Sequence, residues 1–286
     1  MSELVAVKTA AALREVTGAW RANNQTVALV PTMGNLHRGH LSLADLAARR
    51  ADRVVMSIFV NPTQFGEGED YASYPRTLDE DVQAVRGAAT VDALFTPDVV
   101  DVYPFGVDQA VRIEMPPLSH DLCGAERPGH FNGVASVVLR LLNMAQPDLL
   151  VLGEKDFQQL VLIEHLIADL RLPVRVVRAP IERELDGLAL SSRNRYLTQD
   201  ERARAPELHR VLAAVSDSIR GGGTDFDRLA ERAGDALRER GFRVDYIEIR
   251  DAMTLSRPNG RAEPPDLIVL GAAWLGRARL IDNVRV

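Results

Sequence analysis

The chain of 286 residues has a single cysteine, Cys123, so no intramolecular disulfide can form. That fits a reducing, cytoplasmic setting, with Cys123 as a structural residue. No apolar run reaches the roughly 18 residues a membrane helix needs, so no transmembrane span is expected. The first residues, MSELVAVKTAAALREV, lack a basic start followed by an unbroken apolar core, so no signal peptide is expected either. A basic excess is also missing. Lys plus Arg is 34 against 40 for Asp plus Glu, a net charge of −6. That argues against non-specific nucleic-acid binding as the main activity, though a local basic pocket stays open. There is no GxxxxGK[ST] loop, and no GxGxxG follows the first apolar strand. Any nucleotide must be held in another way. Internal repeats and low-complexity tracts are absent too.

What is present is patterned. Hydrophobic residues make up 46% of the chain, enough for a sizeable core, and the length suits two domains. Residues 8–20, 41–50, 77–87, 134–144 and 157–170 carry apolar residues at helical spacing. On the helix after 41, Leu43, Leu46 and Ala47 form the inner face. On the helix after 157, Leu160, Ile163, Leu166, Ile167 and Leu170 form one stripe. Short apolar runs at 26–30, 53–60, 91–95, 148–152 and 174–177 read as buried strands. Strands alternating with helices predict βαβ units and a parallel sheet, whose ligands bind beyond the carboxyl ends of the strands.

The pattern changes near Ile181. A polar stretch, 182–195, precedes a Thr198–Glu201 capping box that opens a helix toward Ile219. Gly221-Gly222-Gly223 ends that helix, and a second spans 225–240. Runs at 244–250, 267–273 and 279–282 read as strands of a small antiparallel sheet. Residues 257–266, with three prolines and a glycine, read as a loop. The expected organisation is α/β: a Rossmann-like parallel-sheet domain over 1–182 and a smaller α+β C-terminal domain over 183–286.

The polar segments that follow strands are the chemical candidates. His37 and His40 sit where a strand turns into a helix, with Gly34 and Gly39 permitting close approach of backbone. Helix N-terminal amides and the helix dipole favour an anion there, most simply a phosphate. As a metal pair the two histidines are incomplete, since no cysteine or acidic cluster lies near them in sequence. Lys155, in Gly153-Glu154-Lys155-Asp156, also follows a strand. It could stabilise charge on a phosphoryl group, or be a solvated surface charge. Asp156 could accept from a ribose hydroxyl or cap the next helix. Gln64 and Gln159 could together bind a small polar substrate. Ser191-Ser192-Arg193 suits phosphate oxygens, or is a polar linker. Arg127-Pro128-Gly129-His130-Phe131 could line a pocket or form a turn.

Six segments together resemble the pantothenate synthetases (pantoate–β-alanine ligases), of the HIGH nucleotidyltransferase superfamily. They are Pro31–His40, Ser57–Phe65, Tyr74-Pro75-Arg76-Thr77, Arg127–Phe131, Gly153–Gln159 and Asp186–Asn194. The match runs from about Val27 to Asn194 and resumes near 246–251 and 272–283. The resemblance implies a C-terminal lid domain, a homodimer, Mg2+ with ATP as co-substrate, and pantoate and β-alanine as the other substrates. It implies a pantoyl adenylate that the amine of β-alanine then opens, with release of AMP. His40 matches the position assigned as proton donor, with His37 beside it and Lys155 on the phosphates. Met33, Gly34, Asn35, Leu36, His37, Arg38, Gly39 and His40 match ATP-contacting positions, as do Gly153, Glu154, Lys155, Asp156, Glu182, Leu190, Ser191, Ser192 and Arg193. Gln64 and Gln159 match pantoate-binding amides, and Gln64 also lies near β-alanine. Leu185, Thr63 and Glu182 depart from the family pattern. The residues also fit two other readings: a nucleotidyltransferase that forms no amide, and an idle nucleotide-binding protein.

Overall fold

The computed structural model describes residues 4–66, 68–69, 71–258 and 266–286. Contacts divide the chain into two units, Met1–Glu154 with Leu162–Ala179, and Lys155–Val161 with Pro180–Val286.

The first unit is built on six parallel strands: β1 (Val5–Val7), β2 (Val27–Thr32), β3 (Arg53–Ile58), β4 (Ala93–Phe95), β5 (Leu149–Gly153) and β6 (Arg175–Ala179). Their order is β1-β4-β3-β2-β5-β6. From β2 the chain builds outward through β3 and β4, then restarts on the other side with β5 and β6. The reversal lies between β2 and β5, a switch point of the kind where open α/β sheets bind ligands. The helices are α1 (Ala10–Ala22), α2 (Arg38–Ala48), α3 (Leu78–Ala88), α4 (Val99–Val102), α5 (Cys123–Glu126), α6 (His130–Ala145) and α7 (Phe157–Asp169), whose residues up to Val161 are counted with the second unit.

Both sheet faces are covered, which explains the near-continuous apolar strands. Ala28, Val30, Val54 and Met56 pack with Ala44 and Ala47 of α2 and Val85 of α3. The intervening Leu29 and Val55 point to the opposite face and are equally inaccessible to water. On α2 the fully buried positions are Ala44 and Ala47, while Leu43 and Leu46 pack at the margin of that core. Strand β1 is too short to show alternation, and Val5 is exposed, so the sequence reading has no strand there. Leu170 is exposed, off the predicted stripe, because α7 ends at Asp169.

The second unit holds an antiparallel sheet, β7 (Arg243–Asp251), β8 (Leu267–Leu275) and β9 (Ala278–Arg285), in that order. Its helices are α8 (Gln199–Arg204), α9 (Glu207–Arg220) and α10 (Phe226–Glu239). Leu208, Leu212, Val215 and Ile219 of α9 pack with Leu237 of α10 and with Ile247, Val269 and Leu280 of the sheet. The Thr198–Glu201 capping box is present. The single helix predicted from it is two, because Pro206 has no N–H for the helical ladder. Gly221–Gly223 joins α9 to α10 as expected, with Gly222 in the left-handed region at φ 95°. Residues 259–265 of the predicted 257–266 loop lie outside the described residues. Among the described residues no helix is long and apolar enough to cross a membrane.

Candidate active site

The β2–α2 turn is the centre of the first unit's candidate site. His37 is the N-cap of α2, one residue before the first turn, and His40 lies three residues on. Nδ1 of His37 accepts from the Gly39 N–H at 3.1 Å, and Nδ1 of His40 accepts from the His37 N–H at 3.3 Å. Two amides that a helix start leaves unpaired are thereby satisfied by imidazoles rather than by the usual hydroxyl or carboxylate. The rings stack with centroids 4.0 Å apart and planes 28° from parallel. A ring nitrogen that accepts carries no proton, so the neutral form of each ring holds its proton on Nε2. Each histidine is thus set as an Nε2–H donor, and the pair adjoins the positive end of a helix dipole.

The preceding turn is shaped by backbone. Gly34 and Asn35 have φ of 80° and 50°, in the left-handed region. Asp81 of α3 holds this turn, and its carboxylate accepts from the Asn35 N–H at 2.9 Å and the Leu36 N–H at 2.7 Å. It also accepts from the Thr77 hydroxyl at 3.3 Å. A Cβ at Gly34 would lie 2.9 Å from an Asp81 oxygen, so glycine is required twice over.

Gln64 lies in the short 3-10 turn Pro62–Gln64 that follows β3 and is buried. Its Nε2 is 3.1 Å from Met33 Sδ, which brings two predicted site residues together. Its backbone carbonyl is 2.8 Å from His130 Nδ1. The N-terminal turn of α6 presses against this segment. A Cβ on Gly133 would sit 2.2 Å from the Thr63 carbonyl oxygen and 2.5 Å from Gln64 Cα. Arg127 binds Glu69 through Nε and Nη2, at 2.9 and 2.6 Å, and its Nη1 is 3.0 Å from His130 Nε2. Burial alone raises the Glu69 carboxyl pKa, but the hydrogen bonds and charge of Arg127 outweigh it and hold it below the ordinary value. Gly153 ends β5, beside β2 in the sheet, and Glu154 opens the 3-10 turn that follows.

The other predicted residues belong to the second unit. Lys155 and Ser191 line a small cavity there with Asn194, His209 and Asp282, with room for about one water molecule. Lys155 Nζ is 3.6 Å from an Asp156 oxygen, and the Lys155 carbonyl accepts from Asn283 Nδ2 at 3.2 Å. Arg183 grips Asp282 at 2.6 and 2.9 Å and also donates to the carbonyl of Gly187. Asp282 is buried, which raises its pKa. The hydrogen bonds and charge of Arg183 and the Asn283 N–H prevail and keep it low. His209 Nδ1 lies farther off, 3.5 Å from an Asp282 oxygen. Ser191 caps the turn Ser192–Tyr196 by accepting from the Arg193 N–H. The Glu182 carbonyl accepts from the Leu190 N–H. Gln159 lies in the first turns of α7 and is half-buried.

A family model described as pantoate-beta-alanine ligase matches residues 5–285. The chain belongs to the pantoate–β-alanine ligase family. A pantothenate synthetase of Alkalilimnicola ehrlichii is 52% identical, over 98% of this chain and 97% of that one. One of Ectopseudomonas mendocina is 51% identical over the same shares. Among solved structures, the pantothenate synthetase of Thermus thermophilus aligns with a TM-score of 0.90 at 43% identity, covering 99% of both chains. The pantoate-beta-alanine ligase of Francisella tularensis, solved as a complex with beta-gamma ATP and beta-alanine, aligns at 0.82 and 33%, covering 99% of this chain and 98% of that one. The Rossmann-like sheet and the small antiparallel sheet are thus those of pantoate–β-alanine ligases.

Against this ligase framework, sequence reasoning missed the supporting groups. Asp81 reads as one of several acids at a helix start, and Tyr103 as a tyrosine in a segment without a clear motif. A signal for Asp81 was present, since an acid four residues after Thr77 can turn back over the start of its helix. No local signal exists for Tyr103. Of the family departures, Leu185 is fully exposed, so its side chain packs on nothing. Thr63 adds a hydroxyl that hydrogen-bonds Asn61 and Tyr103.

Proposed function

We propose that the chain condenses pantoate with β-alanine, driven by ATP, in two steps. A pantoate carboxylate oxygen attacks the α-phosphorus of ATP. The new O–P bond forms as the bond to pyrophosphate breaks, giving pantoyl adenylate. The amine of β-alanine, having lost its proton, then attacks the acyl carbon. The C–N bond forms, the C–O bond to the phosphate breaks, and pantothenate and AMP leave. Adenylation is needed because a free carboxylate is a poor acyl electrophile.

The observation that carries this reading is the capped and stacked histidine pair at the switch point of the sheet. With each Nδ1 committed to a backbone N–H, both Nε2–H groups serve as donors to phosphate oxygens. His40 and His37 are assigned to the phosphates, with His40 as proton donor. Lys155 is assigned to the negative charge that gathers on the α-phosphate in the transition state. The backbone from Met33 to Gly39 and the segments Gly153–Asp156, Glu182 and Leu190–Arg193 are assigned to ATP. Gln64 and Gln159 are assigned to pantoate, and Gln64 also to β-alanine. Mg2+ enters with ATP as the co-substrate complex. The reading includes a homodimer, a cytoplasmic setting suited to the single cysteine, and a lid role for residues 183–286.

The test is direct. Incubated with ATP, Mg2+, pantoate and β-alanine, the protein should form AMP and pantothenate in equal amounts. Without β-alanine it should form pyrophosphate and pantoyl adenylate only. Formation of ADP, or no AMP from folded protein, would overturn the reading.

A further inference from the structure

The direction of the Gln64 amide is set by a chain of groups whose polarities leave no choice. Asn61 is buried, and its Oδ1 accepts from the Thr63 N–H at 3.3 Å and from the Tyr103 hydroxyl at 2.7 Å. A backbone N–H can only donate, so this atom of Asn61 is the oxygen. The other atom is then the NH2 group, and it donates to the Gly133 carbonyl at 3.1 Å, which can only accept. The same NH2 group is 3.1 Å from the side chain of Gln64, so Gln64 meets it with Oε1. Gln64 must therefore turn Nε2 the other way, where it meets Met33 Sδ. A thioether is a weak acceptor, and a ligand oxygen would be a stronger partner.

The anchor of this chain lies outside every motif of the candidate site. Tyr103 follows α4, is almost wholly inaccessible, and is held by Phe59 beside it and by Arg140 over its ring at 4.6 Å. Thr63 Oγ1 lies 3.0 Å from both Asn61 Oδ1 and the Tyr103 oxygen, so the two hydroxyl protons hold two of the three edges of this triangle at a time. We propose that Tyr103 and Thr63 are positioning residues that act through Asn61. Their hydroxyls reinforce the orientation of Asn61 that the Thr63 N–H and the Gly133 carbonyl dictate, hold Gln64 as a hydrogen-bond donor, and so favour an oxygen acceptor on the bound hydroxy acid. The proposal rests on the assignment of Gln64 to pantoate.

The experiment measures KM for pantoate and KM for ATP in a set of full-length variants, with melting curves alongside. Gln64→Glu tests the assignment itself, because it replaces the donor with an anion facing a carboxylate substrate. It should raise KM for pantoate at least tenfold and leave KM for ATP unchanged. If it does not, the assignment of Gln64 fails, whatever Tyr103 does. Tyr103→Phe and Thr63→Val each remove one hydroxyl and keep the shape. Each should raise KM for pantoate roughly three- to tenfold, as expected for one hydrogen bond, with KM for ATP unchanged. Thr63→Ser should restore the parent value. A purely structural role would lower the melting temperature without this split between substrates. The proposal is overturned if Gln64→Glu shows its effect while Tyr103→Phe and Thr63→Val keep the parent KM for pantoate, or if both substrates weaken together. Should Tyr103→Phe fail to fold, the Thr63 pair, at a half-buried position, decides alone.

Discussion

Asp81 offers the most direct test of how the phosphate turn is held. Its carboxylate is 3% exposed and accepts two backbone N–H groups, from Asn35 and Leu36, plus the Thr77 hydroxyl. Hydrogen bonds to a charged group are each worth about 1.5–3 kcal/mol. Asp81→Ala removes two to amides that are only partly buried, so water recovers some of the loss. A net cost of about 3 kcal/mol follows. For a chain of this size about 1 kcal/mol moves Tm by roughly 2–4 °C, so Asp81→Ala should melt about 6–12 °C below the parent. The same change frees Gly34 and Asn35 to leave the left-handed region, and the His37–His40 pair follows that turn directly. KM for ATP should therefore rise, by roughly tenfold or more if about half the lost energy falls on the bound state. Asp81→Asn keeps one carbonyl oxygen and should fall between the two. Thermal melts and steady-state kinetics with ATP varied are sufficient measurements. A folded Asp81→Ala protein that melts within about 1 °C of the parent and keeps its KM for ATP would refute the argument.

Gly133→Ala should be more damaging than an ordinary glycine-to-alanine change. The new methyl must displace the backbone of Thr63 and Gln64, at 2.2 and 2.5 Å, and a loss of about 3 kcal/mol or more in urea unfolding is expected. Lys155→Ala should slow single-turnover formation of pantoyl adenylate by about 100-fold or more with little change in Tm, and near-normal adenylate formation would end its assigned role. Asp282 gives a pH prediction. Its pKa is lower in the folded chain than in the unfolded one, so the stability it contributes is present above the unfolded value, about 3.9. That contribution is lost as pH falls through the lower folded value. Urea midpoints between pH 6 and pH 3 should therefore fall less steeply in Asp282→Asn than in the parent, from a lower starting point.

Much of the fold was legible because burial on both faces leaves a simple trace. Short β-branched runs such as Val54-Val55-Met56 read as interior strands, and the helices between them favour parallel pairing. The elements that escaped detection are those whose cause is not periodic. Strand β1 is three residues at a sheet edge with one buried side chain. The break between α8 and α9 is a single proline in an otherwise helical pattern.

The candidate site divides along the same line. His37, His40, Gln64 and Lys155 stand in glycine- or proline-marked turns after strands, where sequence reading looks for chemistry. Asp81, Tyr103 and Asn61 act through hydrogen bonds to groups as many as 72 residues away, and no spacing rule encodes such distant partners. Polarity, not position in the chain, ties them to the site. The Thr63 N–H can only donate and the Gly133 carbonyl can only accept, so two fixed backbone groups determine the orientation of Asn61 and, through it, of Gln64. The same logic applies to the histidines, where the N–H groups of His37 and Gly39 dictate which ring nitrogen carries the proton. In both places the backbone, which no substitution can alter in kind except to proline, sets the donor pattern offered to the substrate. Substitutions that keep side-chain volume but reverse polarity, such as Gln64→Glu, should therefore harm binding more than substitutions that remove volume, such as Gln64→Ala. The reverse ranking in KM for pantoate would show that packing, rather than donor direction, governs this site.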